Sequence, residues 1–306
     1  MSRRVLIALL VLSGLLNLLL YTKARPHDNH ATWTNANSRR TYFSVHDIAG
    51  ARALATGKGV KVGVIDHYFG YDANRALYAG GKDFLGDADG FRTIGEHGLW
   101  MATTLREIAP DVEIYALNAT TGNETKKVAA MVAAIRWAID QKLDILTYSD
   151  RAVSPANRAP LDAAVADAVR AGVTCIFIHY THPDNILPLA MFASEEYDRP
   201  ADVNVWGYDY NVLFVREYFA YLKKKEGTRP YLSVSSTSVV TAGIAAMMKE
   251  AGGALAPREI RRILIETSRP CSEADGGKPT TVHLCPHVID AAAAVRRARD
   301  ARVAAT

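Results

Sequence analysis

The stretch VKVGVID, residues 60–66, decides the fold class. Val60, Val62, Val64 and Ile65 are β-branched and nearly contiguous, the pattern of a strand buried on both faces. Gly57 and Gly59 precede it as turn signals. Similar runs recur at 112–117, 143–146 and 173–178. Between them, apolar residues fall at helical spacing: Val128, Val132, Ile135 and Ile139, then Leu161, Val165, Ala168 and Val169. Strands alternating with helices of ten to fifteen residues predict βαβ units and an α/β domain with a mainly parallel central sheet. That domain is expected at 46–298, followed by a short tail at 299–306.

In such a sheet, chemistry collects beyond the carboxyl ends of the strands. Asp66 stands at the end of the first strand, either facing that crevice or serving as an ordinary turn or cap residue. His97 opens the segment 97–110, at the start of an expected helix. A charged imidazole is disfavoured there, so the position is expected to hold it neutral and available as a base. Ser238 lies in LSVSSTSVVTAGIAAMMKEAGG, residues 232–253, where small hydroxyl residues give way to an apolar helix ended by Gly252-Gly253. A serine in that position is either a cap or a nucleophile beside unpaired helix N–H groups.

Composition narrows the partners. The chain has 306 residues, 49% hydrophobic and 22% charged, with a net charge of +4, an ordinary globular balance. Lys223-Lys224-Lys225 and Arg296-Arg297 are the dense basic groups, and both read as solvated faces, so no nucleic-acid partner is expected. The glycine fingerprints of dinucleotide and nucleoside-triphosphate sites do not follow any strand, and no cofactor is expected. No metal is expected either. His283 and His287 flank Cys285 without a second ligand pair, and Asp83, Asp87 and Asp89 read as a solvated turn.

The N-terminus carries Ser2-Arg3-Arg4 and then an apolar run at 5–21. This predicts a signal peptide or signal anchor over 1–24 and a linker over 25–45, hence an exported chain that is membrane-anchored or secreted. Of the three cysteines, Cys175 falls inside a strand-like run and reads as a core thiol. Cys271 and Cys285 bracket a polar loop and would close it as a disulfide in an oxidising compartment, or stay as two thiols.

The order Asp66, His97, Ser238 matches that of the subtilisins, and the surrounding residues extend the likeness. Gly57-Lys58-Gly59-Val60 leading to Asp66 resembles the first motif of the subtilases, in which a strand ends D-[ST]-G. His97-Gly98-Leu99-Trp100-Met101-Ala102 resembles H-G-T-H-V-A in part. Ile108-Ala109-Pro110-Asp111-Val112-Glu113-Ile114-Tyr115 is similar to I-A-P-x-A-x-I-Y, and Ser236-Thr237-Ser238 to the serine motif G-T-S. Leu255-Ala256-Pro257-Arg258-Glu259-Ile260 resembles L-T-P-x-x-I.

The resemblance implies a subtilisin-like three-layer fold and a serine endopeptidase acting on peptide or protein substrates through an acyl-enzyme. Ser238 would be the nucleophile, His97 the base and then acid, and Asp66 the orienting group. Thr181 stands where the family has its oxyanion asparagine. Ser149 and Asp150 begin the substrate strand, where Asp150, Arg151 and Ala152 replace an apolar residue and two glycines. Ser236 and Ala242 replace the glycine and proline of the serine motif. Because these departures touch binding and the oxyanion hole, a catalytically impaired, peptide- or protein-binding pseudopeptidase is the alternative function.

Overall fold

In a computed structural model that describes residues 46–150, 153–178, 235–270 and 287–305, the quoted stretch forms β1 (Lys61–Asp66) at the centre of a sheet. The edge strand β2 (Gly80–Asp83) comes next, then β3 (Glu113–Asn118), β4 (Ile145–Tyr148) and β5 (Thr174–Phe177). The five are all parallel and ordered β2-β3-β1-β4-β5. β1 therefore lies between β3 and β4, and Asp66 pairs with Asn118 at the carboxyl ends of their strands. Strand order reverses about β1, and that is where an open parallel sheet leaves a crevice.

Alternation along the strands divides the core into two layers. Val62 and Val64 of β1, with Ile114, Ala116, Ile145 and Ile176, face one way. They meet α1 (Ile48–Arg52), α2 (His97–Ile108) and the later helices α5 (Ser235–Gly252), α6 (Pro257–Glu266) and α7 (Ala291–Ala305). Ile65, Leu117, Leu146, Cys175 and Phe177 face the other way, onto α3 (Glu124–Asp140) and α4 (Ala159–Arg170). The result is the expected α/β three-layer fold. Val62, Val64 and Ile65 have no exposed surface; each contributes about 1.5–3 kcal/mol relative to exposure, as an upper estimate.

Two close contacts fix α5. Gly243 of α5 passes Ile108 of α2 so tightly that a Cβ would lie 2.5 Å from the isoleucine Cγ2. At the other end, one Glu250 oxygen accepts the backbone N–H groups of Thr56 and Gly57 at 2.6 Å and of Lys58 at 2.9 Å. This ties α5 to the turn that feeds β1.

The sequence pattern did not reveal β2: Gly80-Gly81-Lys82-Asp83 has neither β-branched residues nor strict alternation. Pairing with β3, through the register Gly80↔Tyr115 to Asp83↔Asn118, makes it a strand. Similarly, α7 runs past the expected boundary at 298 to Ala305, and residues 299–305 are helical. A two-stranded antiparallel pair, β6 (Arg269–Pro270) with β7 (His287–Val288), completes the described elements. Among the described residues no single helix is long and apolar enough to cross a membrane, and the apolar run at 5–21 lies outside them.

Candidate active site

The loop after β1 and the start of α2 are joined by backbone hydrogen bonds. Glu96 N–H and Leu99 N–H donate to the Tyr68 carbonyl, at 2.8 and 3.2 Å, and Gly98 N–H donates to the His67 carbonyl at 2.8 Å. Gly98 is needed for this approach, since a Cβ there would stand 2.5 Å from the His67 oxygen. Helix initiation is thus supplied by the strand's own loop, and His97 is delivered opposite Asp66.

There Asp66 and His97 meet. Nδ1 of His97 lies 2.8 and 2.9 Å from the two carboxylate oxygens of fully buried Asp66. Burial alone would push the Asp66 carboxyl up. The charge of His97 and hydrogen bonds from His67 and His97 outweigh it and hold the group at about 2. Burial likewise pulls His97 down, but the Asp66 charge and hydrogen bond, with a further contribution from Asp150, leave it above its ordinary value. The helix position alone predicted a neutral histidine. The carboxylate 31 positions earlier works against that tendency and raises the ring's affinity for a proton, because a buried opposite charge at hydrogen-bond distance outweighs half a unit of dipole charge.

Ser238 is buried in the first described turn of α5, with the helix already formed at Ser235, so it is not the N-cap. Its hydroxyl donates to the Ser235 carbonyl at 3.1 Å and lies 2.5 Å from the hydroxyl of buried Ser149, just beyond β4. Among the described residues no hydrogen bond joins Ser238 to His97. The structure therefore forms the Asp66–His97 half of the arrangement and a separate Ser149–Ser238 pair on an adjoining strand and helix. Asp150 follows Ser149 into a cavity of about 540 Å³, lined also by His67, Tyr68, Thr120 and Lys127. Thr181, Cys271 and Cys285 lie outside the described residues.

His67 is the site residue that the sequence pattern missed. Its backbone N–H donates to Asp66 Oδ1 at 2.8 Å, and its Nδ1 lies 3.2 Å from the same oxygen and 2.7 Å from Thr120 Oγ1. The ring stacks on His97 at 5.6 Å between centroids, 5° from parallel. Its place directly after Asp66 was the available signal. Two of the three aspartates at the neighbouring turn are occupied locally: Asp83 accepts from Leu85 N–H and the Asn118 amide, and Asp87 accepts from Gly90 N–H.

No family model matches the chain. Subtilisin DY from Bacillus licheniformis is 27% identical over 130 residues, covering 39% of this chain and 46% of that protein. A thermostable alkaline protease from Halalkalibacterium halodurans is 23% identical over 235 residues, covering 69% of this chain and 63% of that protein. The matches thus span less than two thirds of either relative. Among solved structures, MycP1 with its N-terminal propeptide removed superposes with a TM-score of 0.58 at 18% identity, covering 83% of this chain and 96% of that one. The fold is that of the subtilisin-like proteases, and the sequence is similar to theirs. One departure from the subtilase pattern is visible in the backbone. Tyr68 occupies the glycine position of the D-[ST]-G motif and adopts φ 59°, the left-handed conformation that a glycine would take without strain.

Proposed function

We propose that this chain is an exported serine endopeptidase that cleaves peptide bonds through Asp66, His97 and Ser238. The observation that carries the reading is the buried Asp66 carboxylate on Nδ1 of His97. That contact fixes the proton on Nδ1 and leaves the Nε2 lone pair to act as base. Ser238 turns from Ser149 and Ser235 toward that lone pair when substrate enters; catalytic hydrogen bonds commonly tighten only in the complex. Its oxygen attacks the peptide carbonyl, His97 takes the hydroxyl proton and returns it to the leaving amine, and water repeats the sequence on the acyl-enzyme. Asp66 stabilises the imidazolium throughout. Ser149 and Asp150 border the substrate, and the Thr181 hydroxyl serves the oxyanion. The run at 5–21 directs export, to the membrane or beyond it.

A second reading is a binding domain without turnover. It is favoured by the Ser238 hydroxyl, which is engaged by Ser149 and Ser235 and has no bond to His97 among the described residues. A fluorophosphonate probe separates the two. The peptidase is labelled at Ser238, and Ser238→Ala abolishes the label. A folded, full-length chain that takes no label is the binding domain.

A further inference from the structure

Three potential metal-ligand groups lie together: the Asp66 carboxylate, the His67 ring and the His97 ring, with one ligand atom from each all lying within 4.8 Å of one another. Both Nδ1 atoms face Asp66 Oδ1, at 3.2 Å from His67 and 2.8 Å from His97. Two histidines and a carboxylate form a donor set for zinc and other divalent first-row ions. With bonds of roughly 2.0–2.1 Å, a tetrahedral ion spaces its ligands roughly 3.4 Å apart, so the two rings, now stacked 5° from parallel, would rotate to aim both lone pairs at one ion. The two rings keep partial access, with 29% and 22% of their side-chain surface exposed, while Asp66 has none. His67 also lines the 540 Å³ cavity, which gives an ion an entry path and leaves a fourth position for water.

We infer that Asp66, His67 and His97 form an inhibitory binding site for a divalent transition-metal ion, zinc foremost, at the centre of the proposed catalytic machinery. The ion would take the Nδ1 lone pair of each ring and one oxygen of Asp66. A neutral imidazole has one N–H, so when Nδ1 binds metal the proton moves to Nε2. His97 then presents an N–H toward Ser238 in place of a lone pair and cannot accept the serine proton. No oxidant and no net proton release are involved when both rings are neutral; protonated rings must first lose a proton, so affinity falls toward acid pH. Around the cavity, Asp87 and Asp150 offset Lys126 and Lys127, leaving the Asp66 charge to attract the ion. The metal site is argued from the geometry, and its inhibitory consequence rests on the peptidase reading.

The test uses full-length protein without a histidine tag, titrated with Co²⁺ and then Zn²⁺. The expected result is one Co²⁺ per chain with the d–d absorption of a nitrogen- and oxygen-ligated ion, displaced by Zn²⁺. His67→Ala and His67→Gln should each weaken binding by at least about 100-fold, since loss of even an outer-shell partner costs 10–100-fold. Zn²⁺ at one equivalent should stop fluorophosphonate labelling of Ser238, and a chelator should restore it. Absence of a Co²⁺ spectrum at millimolar metal overturns the site. So does unchanged affinity in either His67 variant, with far-UV circular dichroism confirming that each is folded. Labelling that persists in the zinc-saturated chain overturns the inhibitory role. A chain that takes no label without metal refutes the peptidase reading, and the Co²⁺ spectrum still decides the metal site.

Discussion

Replacing Asp66 with Asn keeps the shape of a fully buried side chain and removes the charge that organises the site. A carboxyl lowered from 3.8 to about 2 corresponds to about 2 kcal/mol of preference for the ionised form in the folded state. Because the folded value lies below the unfolded one, this contribution is fully present above pH 3.8 and is lost as pH falls through about 2. Urea denaturation of the wild type should therefore show a loss of about 2 kcal/mol across that window, absent in Asp66→Asn. The same substitution acts on chemistry. An Asn amide can point its NH₂ at Nδ1, placing the imidazole proton on Nε2 and removing the base, so the rate of Ser238 labelling should fall by about 10⁴ at neutral pH; subtilisin, which this chain resembles, loses a comparable factor in turnover when its aspartate is removed. The pH profile adds a direction. Asp66 holds His97 above its ordinary 6.5, so the wild-type acid limb should lie above 6.5, and in Asp66→Asn, where burial dominates, it should move below. Labelling of Asp66→Asn within tenfold of wild type, with an unmoved acid limb, would refute the assignment of Asp66 as the orienting group.

Ser149→Ala removes the hydroxyl beside Ser238; a net hydrogen bond of about 1 kcal/mol corresponds to roughly fivefold faster labelling as Ser238 turns to His97 more often, and a slower rate would show that Ser149 assists the nucleophile. Gly98→Ala places a Cβ 2.5 Å from the His67 carbonyl, which should cost about 1–3 kcal/mol in urea denaturation and slow labelling by shifting His97. Glu250→Gln weakens the grip on three backbone N–H groups; a loss of about 2 kcal/mol is expected in thermal or urea melts, with labelling of the folded fraction unchanged.

Much of the architecture was legible because it is written in local pattern. The contiguous β-branched residues of β1, and similar runs at β3, β4 and β5, can be satisfied only by burial on both faces, and the spacing of Val128, Val132 and Ile135 in α3 only by a helix against a sheet. Asp66, His97 and Ser238 stood out as candidates for a related reason: each lies at or near the end of such an element, and ends are where a parallel sheet exposes side chains. The edge strand β2 was hidden because four residues without alternation carry no signal, and only the β3 partner supplies the hydrogen bonds. The raised His97, the second histidine on Asp66 and the Ser149–Ser238 contact were hidden for a different cause. Each depends on the distance between groups 31, 1 and 89 positions apart. Coulomb energy and hydrogen bonding vary with that distance and with burial, neither of which a linear pattern encodes. The sequence by itself determined the four buried strands, the helices between them and the identities of the chemical groups. The tertiary structure decided the edge strand and which of those groups touch, because distance and burial are set only when the chain is folded.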